Sequence, residues 1–208
     1  MRCSLYSFAF ILLLSSCASD YKHLQKSSGD VACAQRIVPG YSGTSWYDAS
    51  IDVTGRHMSG LLLIKSMPDS SNRVVFTNEA GITFFDFSFS KDGDFKIITV
   101  IKQLNRKSVI RTLSRDFALV LGLPFNSGNF ERFTGDEKVY YGVRQKKGTA
   151  YFITNKDCAS LQELEWGTRR KRIVSVRLPG SGYPAPDRIE LDHHTFSMLI
   201  KLTRIKKE

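Results

Sequence analysis

Serine, histidine, carboxylate and cysteine are the side chains of this sequence that could act on a substrate, and their spacing decides which of them can. Ser181 lies in Leu178-Pro179-Gly180-Ser181-Gly182, a flexible loop pattern. It is not the Gly-x-Ser-x-Gly turn that exposes a nucleophile between strand and helix. The histidines His23, His57, His193 and His194 lack the i, i+4 or Cys-x-x-Cys spacing of a zinc site. Adjacent His193 and His194 would either point to opposite faces of a strand or sit in a turn, and a turn is expected ahead of a metal site. Glu163 and Glu165 share one face of a strand pattern and are expected to be solvated, with no companion base or nucleophile. No glycine-rich phosphate loop is present. The expectation is a protein that is not an enzyme, with no cofactor and no metal.

The cysteines say more. Residues 5–14 are an apolar run broken only by Ser7, with Arg2 ahead of it. That length suits the core of a secretory signal and is roughly half of what a membrane-spanning helix needs. Cys17 follows at once, behind Leu14-Ser15-Ser16. Cys3 would leave with the signal, so Cys33 and Cys158 remain. In an oxidising compartment they could pair, and spacing alone does not decide it.

Charge narrows the partners. The chain holds 30 Lys and Arg against 20 Asp and Glu, a formal charge of +10. Such an excess in a cytosolic protein would point to nucleic acid. An exported, tethered protein meets none, and anionic headgroups, glycolipid phosphates or an acidic partner fit better. The densest cluster, Arg169-Arg170-Lys171-Arg172, follows Trp166-Gly167-Thr168. It reads as a hairpin tip, either simply solvated or a basic binding surface.

The elements that must position these residues are mostly strands. A hydrophobic content of 42% with 14 phenylalanines describes a globular domain. Residues 17–40, rich in small and polar types, read as a tether, and residues 41–208 as one domain. Period-two alternation predicts strands over 46–54, 58–65, 73–77, 82–90 and 95–102, and again over 138–145, 149–154, 161–166, 172–178, 188–192 and 195–204. Over 108–122 the period changes: Ile110, Leu113, Phe117, Val120 and Leu121 recur at helical steps, with Gly122 and Pro124 as stop signals. Helical crossovers between strands are missing, which disfavours a parallel sheet. The expected architecture is mostly β (α+β): a strongly curved antiparallel sheet of about 10–11 strands forming an incomplete barrel, its concave face covered by the one helix. Phe85, Phe87 and Phe89 share a face beneath that helix. With Leu113 and Phe117 they are expected to form either ordinary core or the wall of an apolar cavity.

Two resemblances sharpen this reading. Leu14-Ser15-Ser16-Cys17 resembles the lipobox of bacterial lipoproteins, which implies cleavage after residue 16 and acylation of Cys17. Stable anchoring needs more than one acyl chain, which that modification supplies. The strand order, and most clearly PAPDRIELDHHTFSMLIKLTRI, resembles the LolA/LolB group of open barrels with a helical lid over a hydrophobic cavity. IDVTGRHMSGLLLIK, RVVFTNEAGITFFDFSF and TLSRDFALVLG are similar to uncharacterised lipoproteins of Bacteroidetes-type bacteria. With Cys17, the resemblance implies the LolB side. That is an outer-membrane lipoprotein facing the periplasm, receiving acyl chains of other lipoproteins from a periplasmic carrier, with Met67 beside Pro68 as the apolar loop residue. The alternative is a lipid-anchored structural or interaction protein with a basic face for a partner or glycolipid. Either way the partners include the membrane, through the lipid, and no nucleic acid.

Overall fold

The computed structural model describes residues 19–37, 41–179 and 185–206. The signal segment, Cys17 and Ser181 lie outside the described residues. Alternation does what it predicts: β2 (Thr44–Val53) buries Tyr47, Ala49 and Ile51 while Asp48 and Asp52 face outward. It pairs with β3 (Arg56–Ser66), followed by β4 (Asn72–Thr77), β5 (Thr83–Phe89) and β6 (Phe95–Val100), each antiparallel to its neighbour. At Gly60 of β3 a Cβ would run into the Thr77 carbonyl oxygen, so only glycine permits this approach of the chain to the end of β4.

Helix α2 (Lys107–Val120) then interrupts the strands. It has no side-chain cap, no acid in its first turn and no base in its last, so its own dipole is uncompensated. Packing holds it instead: Leu113, Phe117, Leu119 and Val120 are all buried. Leu121 and Gly122 donate back to Phe117 O (2.9 Å) and Leu119 O (3.0 Å). Gly122 supplies the left-handed turn (φ 71°) before the 3₁₀ segment Leu123–Phe125.

The second run of strands is β7 (Glu131–Gly135), β8 (Lys138–Gln145), β9 (Gly148–Asn155), β10 (Leu161–Gly167), β11 (Arg172–Arg177), β12 (Arg188–His193) and β13 (Met198–Arg204). The last of these pairs with β2, Ile200 opposite Ile51, and so welds the two runs into one sheet. With the two-residue β1 (Gln25–Lys26) at one end, its order is β1-β7-β8-β9-β10-β11-β12-β13-β2-β3-β4-β5-β6, antiparallel throughout, with β1 and β6 as unjoined edges. This is the curved, incomplete barrel expected, with thirteen strands among the described residues. The extra strands are β7, whose Glu-Arg-Phe-Thr-Gly has too little alternation to read, and the two-residue β1 (Gln25–Lys26).

β1 belongs to the stretch expected to be a tether. Residues 19–37 instead pack onto the domain. Gln25 pairs with Thr134, Tyr21 is buried against Tyr151 with ring centroids 4.8 Å apart, and α1 (Ala32–Ile37) carries Cys33 into a disulfide with Cys158. Their Cα atoms are 6.2 Å apart, within the span a bridge requires.

Candidate functional site: an apolar cavity under helix α2

An apolar concavity lies between the sheet and the first half of α2. It has a volume of about 290 Å³. Ile51, Val53 and Met58 from β2 and β3, with Phe76 and Phe85 from β4 and β5, make its floor. Leu104, Val109, Thr112 and Leu113 roof it, and Met198 and Phe196 close one side. Only Ser108 and Thr112 bring side-chain hydroxyls. Phe76 and Phe85 are almost wholly buried, whereas Ser108 and Phe196 are exposed, so the hollow opens at that rim. A lining this apolar is suited to taking hydrocarbon out of water.

Of the residues singled out from sequence, Phe85 and Leu113 line this cavity. Phe87, Phe89 and Phe117 do not. Phe87 stacks on Phe85 at 4.5 Å and meets Phe95 edge-on at 5.1 Å, Phe89 packs on Phe95, and Phe117 tilts against Phe85 at 5.6 Å. These rings belong to the buried hydrophobic core. Met58, Leu104, Val109, Thr112, Phe196 and Met198 were not anticipated as lining. Phe196 had shown a signal, sharing an alternating face with Met198, but it lies in the turn before β13 and tilts against the His193 ring at 4.7 Å. Met67 is half-buried, its N–H bonded to Ser71 O at 2.8 Å in a closed loop. The apolar side chains exposed near turns are instead Phe196 and Ile82, 39% and 57% exposed.

The roof is pinned by a polar pair. Asp116 of α2 and His193 at the end of β12 have fully buried side chains, with His193 Nε2 2.8 Å from Asp116 Oδ2. Arg115 beside it reaches the same carboxylate at 3.4 Å and lies over the Trp166 ring, 4.6 Å from the centroid. His193 thus belongs to the strand and only His194 to the turn, where its hydroxyl partner is Ser175 at 3.0 Å.

The basic cluster is divided by the fold. Arg169, Arg170 and Lys171 are exposed in the β10–β11 turn. Arg172 is half-buried and donates to Glu165 at 3.0 Å. Glu165 is therefore not solvated as expected: it is 3% exposed, covered by the N-terminal segment. Burial raises its carboxyl above the ordinary value, with Arg172 opposing. Burial, then the nearby Glu165, pushes the Tyr21 hydroxyl far above its usual range. Among the described residues no group of three or more His, Cys, Asp or Glu side chains is placed to hold a metal ion.

The fold itself has counterparts. The chain is similar to a solved structure described as a "putative outer membrane lipoprotein-sorting protein domain" from Vibrio parahaemolyticus, with a TM-score of 0.50 at 7% identity over 84% of this chain and 89% of that one. It also aligns with a DUF1329 family protein from Desulfovibrio piger, with a TM-score of 0.44 at 8% identity over 85% of this chain and 88% of that one. No family model matches the sequence, and no curated protein matches it. The likeness to the Vibrio parahaemolyticus structure is one of fold alone, carried by shape and not by sequence.

Proposed function

We propose that this is a non-enzymatic, lipid-anchored protein of the outer membrane, facing the periplasm. It takes one acyl chain of another lipoprotein under α2, as a LolB-like acceptor does. The observation that carries the reading is the apolar, rim-open cavity of about 290 Å³. A lipoprotein-sorting description of a protein with the same fold supports it, as does the lipobox-like Leu14-Ser15-Ser16-Cys17. The Cys33–Cys158 bridge fits an exported chain, since disulfides persist in oxidising compartments.

Size bounds the cargo. A cavity of about 150 Å³ holds one benzene, so this one takes on the order of ten to twelve carbons. Burying those at about 0.8 kcal/mol per methylene gives on the order of 8 kcal/mol before association costs. One chain enters, and the remaining hydrocarbon stays outside. Directional transfer then needs only a donor that binds more weakly. Phe196, exposed at the mouth, takes the role of apolar rim contact that Met67 cannot fill.

Native mass spectrometry of the protein purified from cells tests this. A co-purified fatty acid or acylated peptide, lost on filling the cavity with Val109→Phe, is the expected result; a clean unliganded mass under gentle conditions would refute it. The second reading, a lipid-anchored interaction protein, is favoured by the burial of Phe87, Phe89 and Phe117 in the core and not around the cavity, and it predicts that clean mass.

A further inference from the structure

We propose that the neighbouring β8–β9 and β10–β11 turns form a membrane-docking face. It seats on the anionic phospholipid headgroups of the leaflet that holds the protein's own anchor. The inference rests on acylation of Cys17 and adds to it a contact surface and an orientation.

The first described residues are not free of the domain: they are bonded to the basic turn. Ser19 Oγ donates to Arg169 O (3.5 Å), Asp20 N–H donates to Arg170 O (2.9 Å), and Arg172 N–H donates to Asp20 Oδ2 (2.8 Å). Tyr21 is wedged beside Gly167, where any Cβ would strike its ring. Cys17 precedes Ser19 by two residues, which extended chain spans in at most about 7 Å. Acyl chains on Cys17 would therefore start within that reach of Ser19, beside this turn.

The surface around that exit is cationic. Arg169, Arg170 and Lys171 are exposed, as are Lys146 and Lys147 in the adjoining turn. The turns adjoin because β9 pairs with β10, Thr149 opposite Gly167, and Tyr21, Lys147, Thr168 and Arg169 share one surface hollow. None of these five cations enters an ion pair among the described residues. Of the nearby acids, Glu165 is paired with Arg172, and Glu131 with Lys26 and Arg144. Asp20 accepts from the Arg172 backbone and Glu163 enters no ion pair among the described residues, so the five free cations outnumber the two unpaired carboxylates. Free positive charge beside a lipid exit matches a phosphate-bearing surface, and a basic patch is the usual second signal beside acyl chains. The next turn along the same edge of the sheet, between β12 and β13, carries Phe196 at the cavity rim. Docking in this pose brings the mouth of the cavity to the bilayer side.

The test uses the full chain purified from membranes, its intact mass recording whether Cys17 is acylated. It is mixed with vesicles of phosphatidylcholine, alone or with phosphatidylglycerol, and its lysines are acetylated in a brief pulse and mapped. On the anionic vesicles Lys146, Lys147 and Lys171 should lose reactivity several-fold, regain it as salt is raised, and leave exposed Lys65 and Lys201 unchanged. Combining Arg169→Gln, Arg170→Gln and Lys171→Gln removes three cations. It should weaken the charge-dependent association roughly 100-fold, about fivefold each, and abolish the protection at Lys146 and Lys147. Equal lysine reactivity on both vesicle types, in acylated protein that floats with them, overturns the docking face. A mass without acyl chains refutes the anchor instead, and the docking face then stands or falls on protection by the anionic vesicles alone.

Discussion

If the cavity under α2 holds a single hydrocarbon chain, affinity should climb with chain length and then stop. Each methylene drawn into an apolar site contributes about 0.8 kcal/mol, close to a fourfold gain in binding constant. The hollow measures about 290 Å³, room for on the order of ten to twelve carbons by comparison with a benzene-sized cavity of about 150 Å³. A series of saturated fatty acids from C6 to C16, competing with a fluorescent apolar probe, should gain about fourfold per carbon and level off near C10 to C12. Val109→Phe adds four heavy atoms to the roof, and the plateau should then arrive about four carbons sooner with the shorter acids little changed. Circular dichroism and the melting temperature check that the variant is folded. Affinity that rises unbroken to C16, or a plateau that the filled variant does not move, would refute the reasoning.

Other outcomes follow from the same structure. Asp116→Ala leaves His193 buried without its carboxylate and should cost about 3 kcal/mol in urea unfolding, while Asp116→Asn, which keeps a hydrogen-bonding side chain, should cost less. Equal losses would show that the helix is not pinned there. Replacing Cys33 and Cys158 by serine releases a constraint across 125 positions, worth up to about 5 kcal/mol in the chain-entropy account; reductant should lower the wild-type melting point in the same way and leave the variant unaffected. The Glu165 carboxyl is raised above its ordinary 4.5, so the folded protein takes up this proton before the unfolded chain does. Its contribution to stability is then fully present below that value and is lost as pH rises through the folded value. Thermal melts from pH 4 to 7 should show wild type losing stability relative to Glu165→Gln as pH rises, and parallel curves would contradict this.

Much of the architecture was legible because strand and helix periods write themselves into sequence. Tyr47, Ala49 and Ile51 alternate, Phe85, Phe87 and Phe89 alternate, and the helical spacing of Leu113 and Phe117 marked α2 to within a residue or two at its ends. Alternation says which face is inward, and an inward face is all it can say. Whether an inward phenylalanine meets another ring or an empty space depends on what lies across the sheet. Phe85 borders the cavity, and Phe87, two residues on, is core, with Phe95 of β6 packed edge-on against it.

The residues that pattern could not place are those held by distant chain. Glu165 looked like a solvated partner of Glu163 until Tyr21 and Arg172 closed over it, and 19–37 looked like a tether until β1 found β7 and Cys33 found Cys158. Asp116 was one polar residue on a helix, with its partner His193 77 positions away. The amino-acid sequence by itself determined an antiparallel, mostly β domain with one amphipathic helix, basic overall, behind a Leu-Ser-Ser-Cys stretch that resembles a lipobox. Periodicity and charge are local properties, and they survive without coordinates. Only tertiary structure decided where that helix stands off from the sheet and that the N-terminal segment is bonded to the basic turn. Both depend on packing between residues far apart in the chain, which no local pattern encodes.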